Sequence, residues 1–169
     1  MKKKKTVKKT AQKKTARATV GKVVPGFSAP STGDKTFDLN EHQGRKIVLY
    51  FYPKDSTPGC TLEGKDFSRL LKQFRAAGSE VLGVSRDSMK SHEKFKSAQD
   101  YTVDLLSDQD EKLCALFDVI KMKNMYGRQV RGIERSTFVI DAEGILKKEW
   151  RGVKVAGHAQ EVLDYVRSL

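Results

Sequence analysis

A cysteine that follows a proline- and glycine-bounded loop and opens a helix is placed for nucleophilic chemistry, and Cys60 has that setting. It comes directly after Pro53-Lys54-Asp55-Ser56-Thr57-Pro58-Gly59. In the first turn of a helix a thiol faces unpaired backbone N–H groups and the positive end of the helix dipole, and both favour the reactive thiolate. The competing reading is inert packing, since cysteine is among the most commonly buried residue types. The place behind a proline-bounded loop at a strand's end favours function. Cys114, beside Leu113 and Phe117, reads at least as well as a core residue. His42, His92 and His158 are far apart, lack metal-ligand spacing and read as surface groups, so no metal is expected. The chain has no phosphate-binding or dinucleotide glycine motif, and no cofactor is expected.

Positioning Cys60 requires a strand before the loop and a helix after it. Ile47-Val48-Leu49-Tyr50-Phe51-Tyr52 is continuously apolar and stopped by Pro53, the pattern of a central strand buried on both faces. Phe67, Leu70, Leu71 and Phe74 recur at i, i+3, i+4 and i+7, which predicts a helix from about Cys60 to Ala77 with Gly78 as its stop. A strand at Glu80–Val84, a helix at Ser88–Ala98 and a short strand at Thr102–Leu106 follow. Asp108 and Glu111 have capping-box spacing for a helix reaching Phe117. Ser136–Ile140 and Ile145–Trp150 flank the turn Asp141-Ala142-Glu143-Gly144 as a hairpin, and Ala159, Val162, Leu163 and Val166 have helical spacing. Val23 to Gly33 reads as an irregular lead-in, with Thr36–Leu39 as an edge strand. Together these predict a three-layer α/β domain with a mixed sheet.

The 169 residues suit one domain of ordinary size. Its longest apolar run is the six residues Ile47–Tyr52, far short of the roughly 20 that a membrane-spanning helix needs. Two cysteines make no disulfide framework, and with no apolar signal core near the N-terminus the expectation is a reducing, cytoplasmic setting. The net charge of +12 is unevenly spread. Lys2, Lys3, Lys4, Lys5, Lys8, Lys9, Lys13, Lys14 and Arg17 all fall within residues 1–20, which hold no acid, while residues 21–169 are nearly balanced. Residues 1–20 therefore read as a disordered basic arm and 21–169 as the globular domain. One reading of the arm is attachment to a polyanion such as DNA. A solvated tail and an import signal are the others, and no folded nucleic-acid-binding motif accompanies it.

Pro53-x-x-x-Thr57-x-x-Cys60 resembles the signature of the peroxiredoxins. The resemblance extends through Tyr50-Phe51-Tyr52-Pro53-Lys54-Asp55, Thr57-Pro58-Gly59-Cys60-Thr61 with Glu63, Gly83-Val84-Ser85 with Asp87-Ser88, Leu105-Leu106-Ser107-Asp108 and Arg135-Ser136-Thr137-Phe138-Val139-Ile140-Asp141. Taken together these are similar to the PrxQ branch, also called bacterioferritin-comigratory proteins. The resemblance implies a thioredoxin-like fold and a peroxidatic role for Cys60, with Thr57 bonding peroxide and thiolate, Pro53 shielding the pocket and Arg135 as the active-site arginine. A guanidinium beside sulfur would stabilise the thiolate and the charge on the departing oxygen. Glu63 either orients Arg135 or is a helix-start carboxylate favoured by the dipole. Many relatives of this branch carry a resolving cysteine five residues after the peroxidatic one, and here that position is Lys65. Cys114 is the remaining internal candidate.

The resemblance implies a cofactor-free peroxidase acting on hydrogen peroxide and organic hydroperoxides. Cys60 would pass through sulfenic acid and be restored by thioredoxin or another thiol, in a monomer. Thr57 stands where a dithiol oxidoreductase would have the first cysteine of its C-x-x-C. The rival reading is a nucleic-acid-binding or nucleoid-associated protein acting through the arm, with the globule accessory.

Overall fold

The structure is a computed structural model and describes residues 16–169. Strands β1 (Ser28–Ser31), β2 (Lys35–Asp38), β3 (Lys46–Phe51), β4 (Ser79–Ser85), β5 (Asp104–Ser107), β8 (Ser136–Ile140) and β9 (Leu146–Arg151) form one sheet in the order β2-β1-β5-β4-β3-β8-β9. β3, β4 and β5 run parallel, and the remaining pairings are antiparallel. Helices α1 (Pro58–Ala76), α2 (Met89–Gln99), α3 (Lys112–Leu116) and α4 (His158–Ser168) complete the domain, with β6 (Ile120–Met125) and β7 (Arg128–Ile133) as a separate two-stranded ribbon.

The central apolar run becomes β3, and alternation along it divides the core. Ile47, Leu49 and Phe51 face one apolar cluster, which holds Leu113, Cys114 and Phe117. Val48, Tyr50 and Tyr52 face the other, filled by Phe67, Leu70, Leu71 and Phe74 of α1, Phe95 of α2, and Val162, Leu163 and Val166 of α4. Each fully buried side chain of this size contributes about 1.5–3 kcal/mol. A central strand covered on both faces is the three-layer arrangement that the sequence predicts.

Several expectations need correction. The lead-in contains β1, paired with β2, because Ala29 and Ser31 bury while alternate residues stay exposed. The ribbon β6–β7 went unpredicted; its two-residue turn places Tyr126 and Gly127 at φ 52° and 77°, the backbone a tight hairpin requires. α3 is five residues, and Glu111 has φ 60°, so it cannot serve as the helical third position of a capping box. Instead the Asp108 carboxylate accepts from Leu113 and Cys114 N–H at 3.0 and 2.8 Å. The packed chain begins before residue 21: Ala18 N–H donates to Leu116 C=O at 2.8 Å, and Arg17 pairs with Asp118 at 3.1 Å. Arg17 thus belongs with the globule, whereas Lys2 to Lys14 lie outside the described residues. His92 and His158 are buried rather than on the surface.

Candidate active site

α1 starts where its sequence allows. Thr57, in extended conformation, is the N-cap, and Pro58 occupies the first helical position, where a missing N–H is no loss. Cys60 is therefore the third helical residue, inside the turn whose N–H groups lack intrahelical partners. It is 2% exposed.

Arg135 arrives from the connection between β7 and β8, and its Nη2 lies 3.4 Å from Cys60 Sγ while its Nη1 donates to Glu63 Oε1 at 2.8 Å. A β-carbon on Gly59 would stand 3.3 Å from Arg135 Nη2, so a glycine there lets the guanidinium approach. Burial opposes the Arg135 cation, but Glu63 and Cys60 facing it outweigh that and hold it charged. Glu63 is 1% exposed. Burial raises its carboxyl from 4.5 to about 7 against the pull of Arg135. Its Oε2 has no hydrogen-bond partner among the described residues, the environment that favours a neutral acid. Lys123 of β6 donates to Ile133 C=O, and burial with the nearby Arg135 lowers its ammonium while Cys60 raises it. Two cationic side chains, Arg135 and Lys123, thus act on the sulfur.

Thr57 is brought to the site, but its hydroxyl donates to Lys54 C=O at 2.8 Å rather than to sulfur. Pro53 is half-buried at the start of the loop, and Lys65 is exposed on α1. Cys114 packs in the apolar cluster on the other face of the sheet from Cys60, and burial raises its thiol well above the usual range.

The sequence reading missed what lies behind the loop. Tyr101 donates to Thr61 C=O at 2.7 Å and caps the first turn of α1, passing over Gly64, where a β-carbon would stand 2.3 Å from the Tyr101 ring. Glycine inside a helix costs about 1 kcal/mol relative to alanine, and that cost was the available signal of a close approach. Asp55, Asp87 and His92 place their ligand-type atoms within 4.8 Å of one another. Donors already occupy this cluster: Asp55 accepts from Tyr52, Ser91 and His92, and Asp87 from Ser85 and Asp55 N–H. No spacing rule would have joined partners from loop, strand end and helix.

The AhpC/TSA family profile matches residues 20–149. The Xanthomonas campestris protein named Peroxiredoxin Bcp is 58% identical over 137 residues, covering 81% of this chain and 86% of that one. Bacillus subtilis Peroxiredoxin Bcp is 43% identical over 150 residues, covering 89% and 96%. Among solved structures, Xanthomonas campestris Peroxiredoxin Q superposes with a TM-score of 0.80 at 54% identity, covering 84% of this chain and 90% of the other. A cysteine-to-serine variant of Xylella fastidiosa PrxQ gives 0.85 at 44%, covering 90% and 98%. A third structure, again of the Xanthomonas protein as bacterioferritin comigratory protein, was solved with trapped intermediates and ligands to study alkyl peroxide reduction. These likenesses span most of the chain, so the chain belongs to the AhpC/TSA family, as a thiol peroxidase of the peroxiredoxin Bcp, or PrxQ, branch.

Proposed function

We propose that Cys60 is the peroxidatic residue and that an external thiol completes the cycle. The observation that carries the first part is the 3.4 Å contact from Arg135 Nη2 to Cys60 Sγ at a helix N-terminus. The Cys60 thiolate attacks the terminal oxygen of a hydroperoxide. The O–O bond breaks, sulfur becomes sulfenic acid, and the departing oxygen leaves with the bond's electron pair and takes a proton to become water or an alcohol. Arg135 stabilises negative charge on both sulfur and the departing oxygen. Thr57, with its proton committed to Lys54, retains lone pairs that can accept from an entering peroxide O–H. Pro53 walls the pocket and Glu63 orients Arg135.

Reduction follows when a thiol attacks the sulfenic sulfur, forming a mixed disulfide and releasing water. A second thiol then frees Cys60. Hydrogen peroxide and alkyl hydroperoxides are the substrates, thioredoxin or another thiol the reductant, and the working unit a monomer. Against a Cys60–Cys114 bridge stands the sheet between their two cores, since a disulfide needs Cα atoms within about 7 Å. The basic arm we read as an accessory tether to polyanions such as DNA.

Mass spectrometry after one equivalent of hydrogen peroxide tests both parts. The expected product is Cys60 sulfenic acid, with Cys60→Ser inactive and Cys114→Ser retaining most turnover. Substantial turnover in folded Cys60→Ser would overturn the first part, and a quantitative Cys60–Cys114 bridge the second.

A further inference from the structure

The loop from Pro53 to Thr57 is held from behind by a buried hydrogen-bonded pair, Asp55 and His92. His92 is fully buried and Asp55 is 5% exposed. His92 Nε2 lies 2.9 Å from Leu106 C=O, which can only accept, so that nitrogen carries a proton. His92 Nδ1 lies 2.8 Å from Asp55 Oδ2. Burial works against the Asp55 carboxylate, but hydrogen bonds from His92, Tyr52 and Ser91 outweigh it and hold Asp55 below its usual range. His92 thus joins the Asp55 carboxylate of the loop to the Leu106 backbone of β5 through its two ring nitrogens, with no solvent between.

Every other contact of Asp55 ties the same loop to the elements behind it. Tyr52 Oη donates to Oδ1 at 2.7 Å and Ser91 Oγ to Oδ2 at 2.8 Å, while Asp55 N–H donates to Asp87 at 2.9 Å. The next residue, Ser56, is held at φ 61°, and Thr57 then caps α1. Tyr52 and the first turn of α2 thus converge on one carboxylate five residues before Cys60, while Asp87 in the β4–α2 connection holds the Asp55 backbone and Leu106 of β5 holds His92. A buried polar network is a poor source of net stability, because desolvating its groups offsets most of what their hydrogen bonds return. Fixing a geometry is a better account of it.

The reaction makes opposite demands on that geometry. Peroxide needs the first turn of α1 seated beside Arg135. The reducing thiol must reach a sulfur that is 2% exposed when seated, so this turn must yield.

We propose that the Asp55–His92 pair is a latch on the Cys60 loop, with both as positioning residues: it favours the oxidative half-reaction and restrains the reductive one. This rests on Cys60 being the peroxidatic residue. His92→Phe keeps the bulk and removes both ring-nitrogen contacts. His92→Asn restores a donor at the Nδ1 position alone, and Ser91→Ala removes a neighbouring donor to Asp55 from the surface side of the pair.

The test is single-turnover kinetics of each half-reaction: hydrogen peroxide with the reduced protein, and dithiothreitol with the preformed sulfenic acid. The expected result for His92→Phe is oxidation slowed about tenfold or more, the scale of a lost hydrogen bond to a buried charge, with reduction unchanged or faster. His92→Asn should recover most of the oxidation rate, and Ser91→Ala should show a smaller loss in the same sense. Should His92→Phe fail to fold, the other two decide. Parallel slowing of both half-reactions, or no change in either, overturns the latch. Turnover surviving in Cys60→Ser would instead overturn the assignment of Cys60.

Discussion

At the scale of the residue, the site is governed by one guanidinium shared between a sulfur and a buried carboxyl. Arg135→Met should slow the second-order reaction with hydrogen peroxide by about a hundredfold or more while leaving the fold intact, the usual effect of losing one preorganised donor at a developing negative charge. Competition kinetics and a thermal melt check the two halves of that statement. Two buried groups have shifted titrations with opposite consequences. Glu63 is raised by burial from 4.5 to about 7, so the folded state holds its proton more tightly than the unfolded chain, and this contribution is lost as pH rises from about 4.5 through 7. His158 bonds Thr137 Oγ1 at 2.8 Å, and burial lowers it from 6.5 to about 4, so its contribution is lost as pH falls from about 6.5 through 4. Urea midpoints should therefore show Glu63→Gln gaining on the parent as pH rises across the first window, and His158→Gln gaining as pH falls across the second. Equal pH profiles for parent and variants would refute both assignments.

At the scale of the element, α1 carries Cys60, and its start is fixed more tightly than its length. Thr57 and Pro58 set where the helix begins, Tyr101 pins its first turn, and Phe67, Leu70, Leu71 and Phe74 fasten its body to the sheet. Gly64→Ala would drive a methyl into the Tyr101 ring. Overpacking of this kind costs about 1–3 kcal/mol, and a domain of this size loses about 2–4 °C of Tm per kcal/mol. Calorimetry should show that loss, along with slower peroxide reaction if the first turn shifts. An unchanged Tm would mean Tyr101 moves aside freely.

At the scale of the molecule, a nearly balanced globule carries a basic extension. The eight lysines from Lys2 to Lys14 are the charge the proposed tether would use, and Arg17, paired with Asp118, is not counted with them. Removing residues 1–15 should abolish retention on duplex DNA and leave peroxide turnover unchanged. In the full chain each phosphate contact should add about −0.9 to the logarithmic salt slope. Retention insensitive to moderate salt, or surviving the deletion, would refute the tether.

Much of this protein was legible one segment at a time. The run Ile47–Tyr52 determined a central strand because nothing polar interrupts either face, the spacing Phe67 to Phe74 determined α1, and the loop between them placed Cys60 at a helix start. These are local statements, set by period and by turn chemistry, and so the sequence alone could make them. The resemblance to peroxiredoxins added Arg135 and Glu63, which no spacing connects to Cys60. Only the tertiary structure decided that Arg135 lies between Cys60 and Glu63, that Cys60 and Cys114 face opposite sides of the sheet, that His92 is an interior partner of Asp55 rather than a surface group, and that the packed chain starts by Arg17. Each of these depends on which distant side chain occupies a shared space, from the 37 positions between Asp55 and His92 to the 101 between Arg17 and Asp118, beyond any rule whose reach is a turn of helix or a pair of strands. The β6–β7 ribbon and the short α3 are local by contrast, and were missed because their turns at Tyr126-Gly127 and Glu111 depart from the expected pattern.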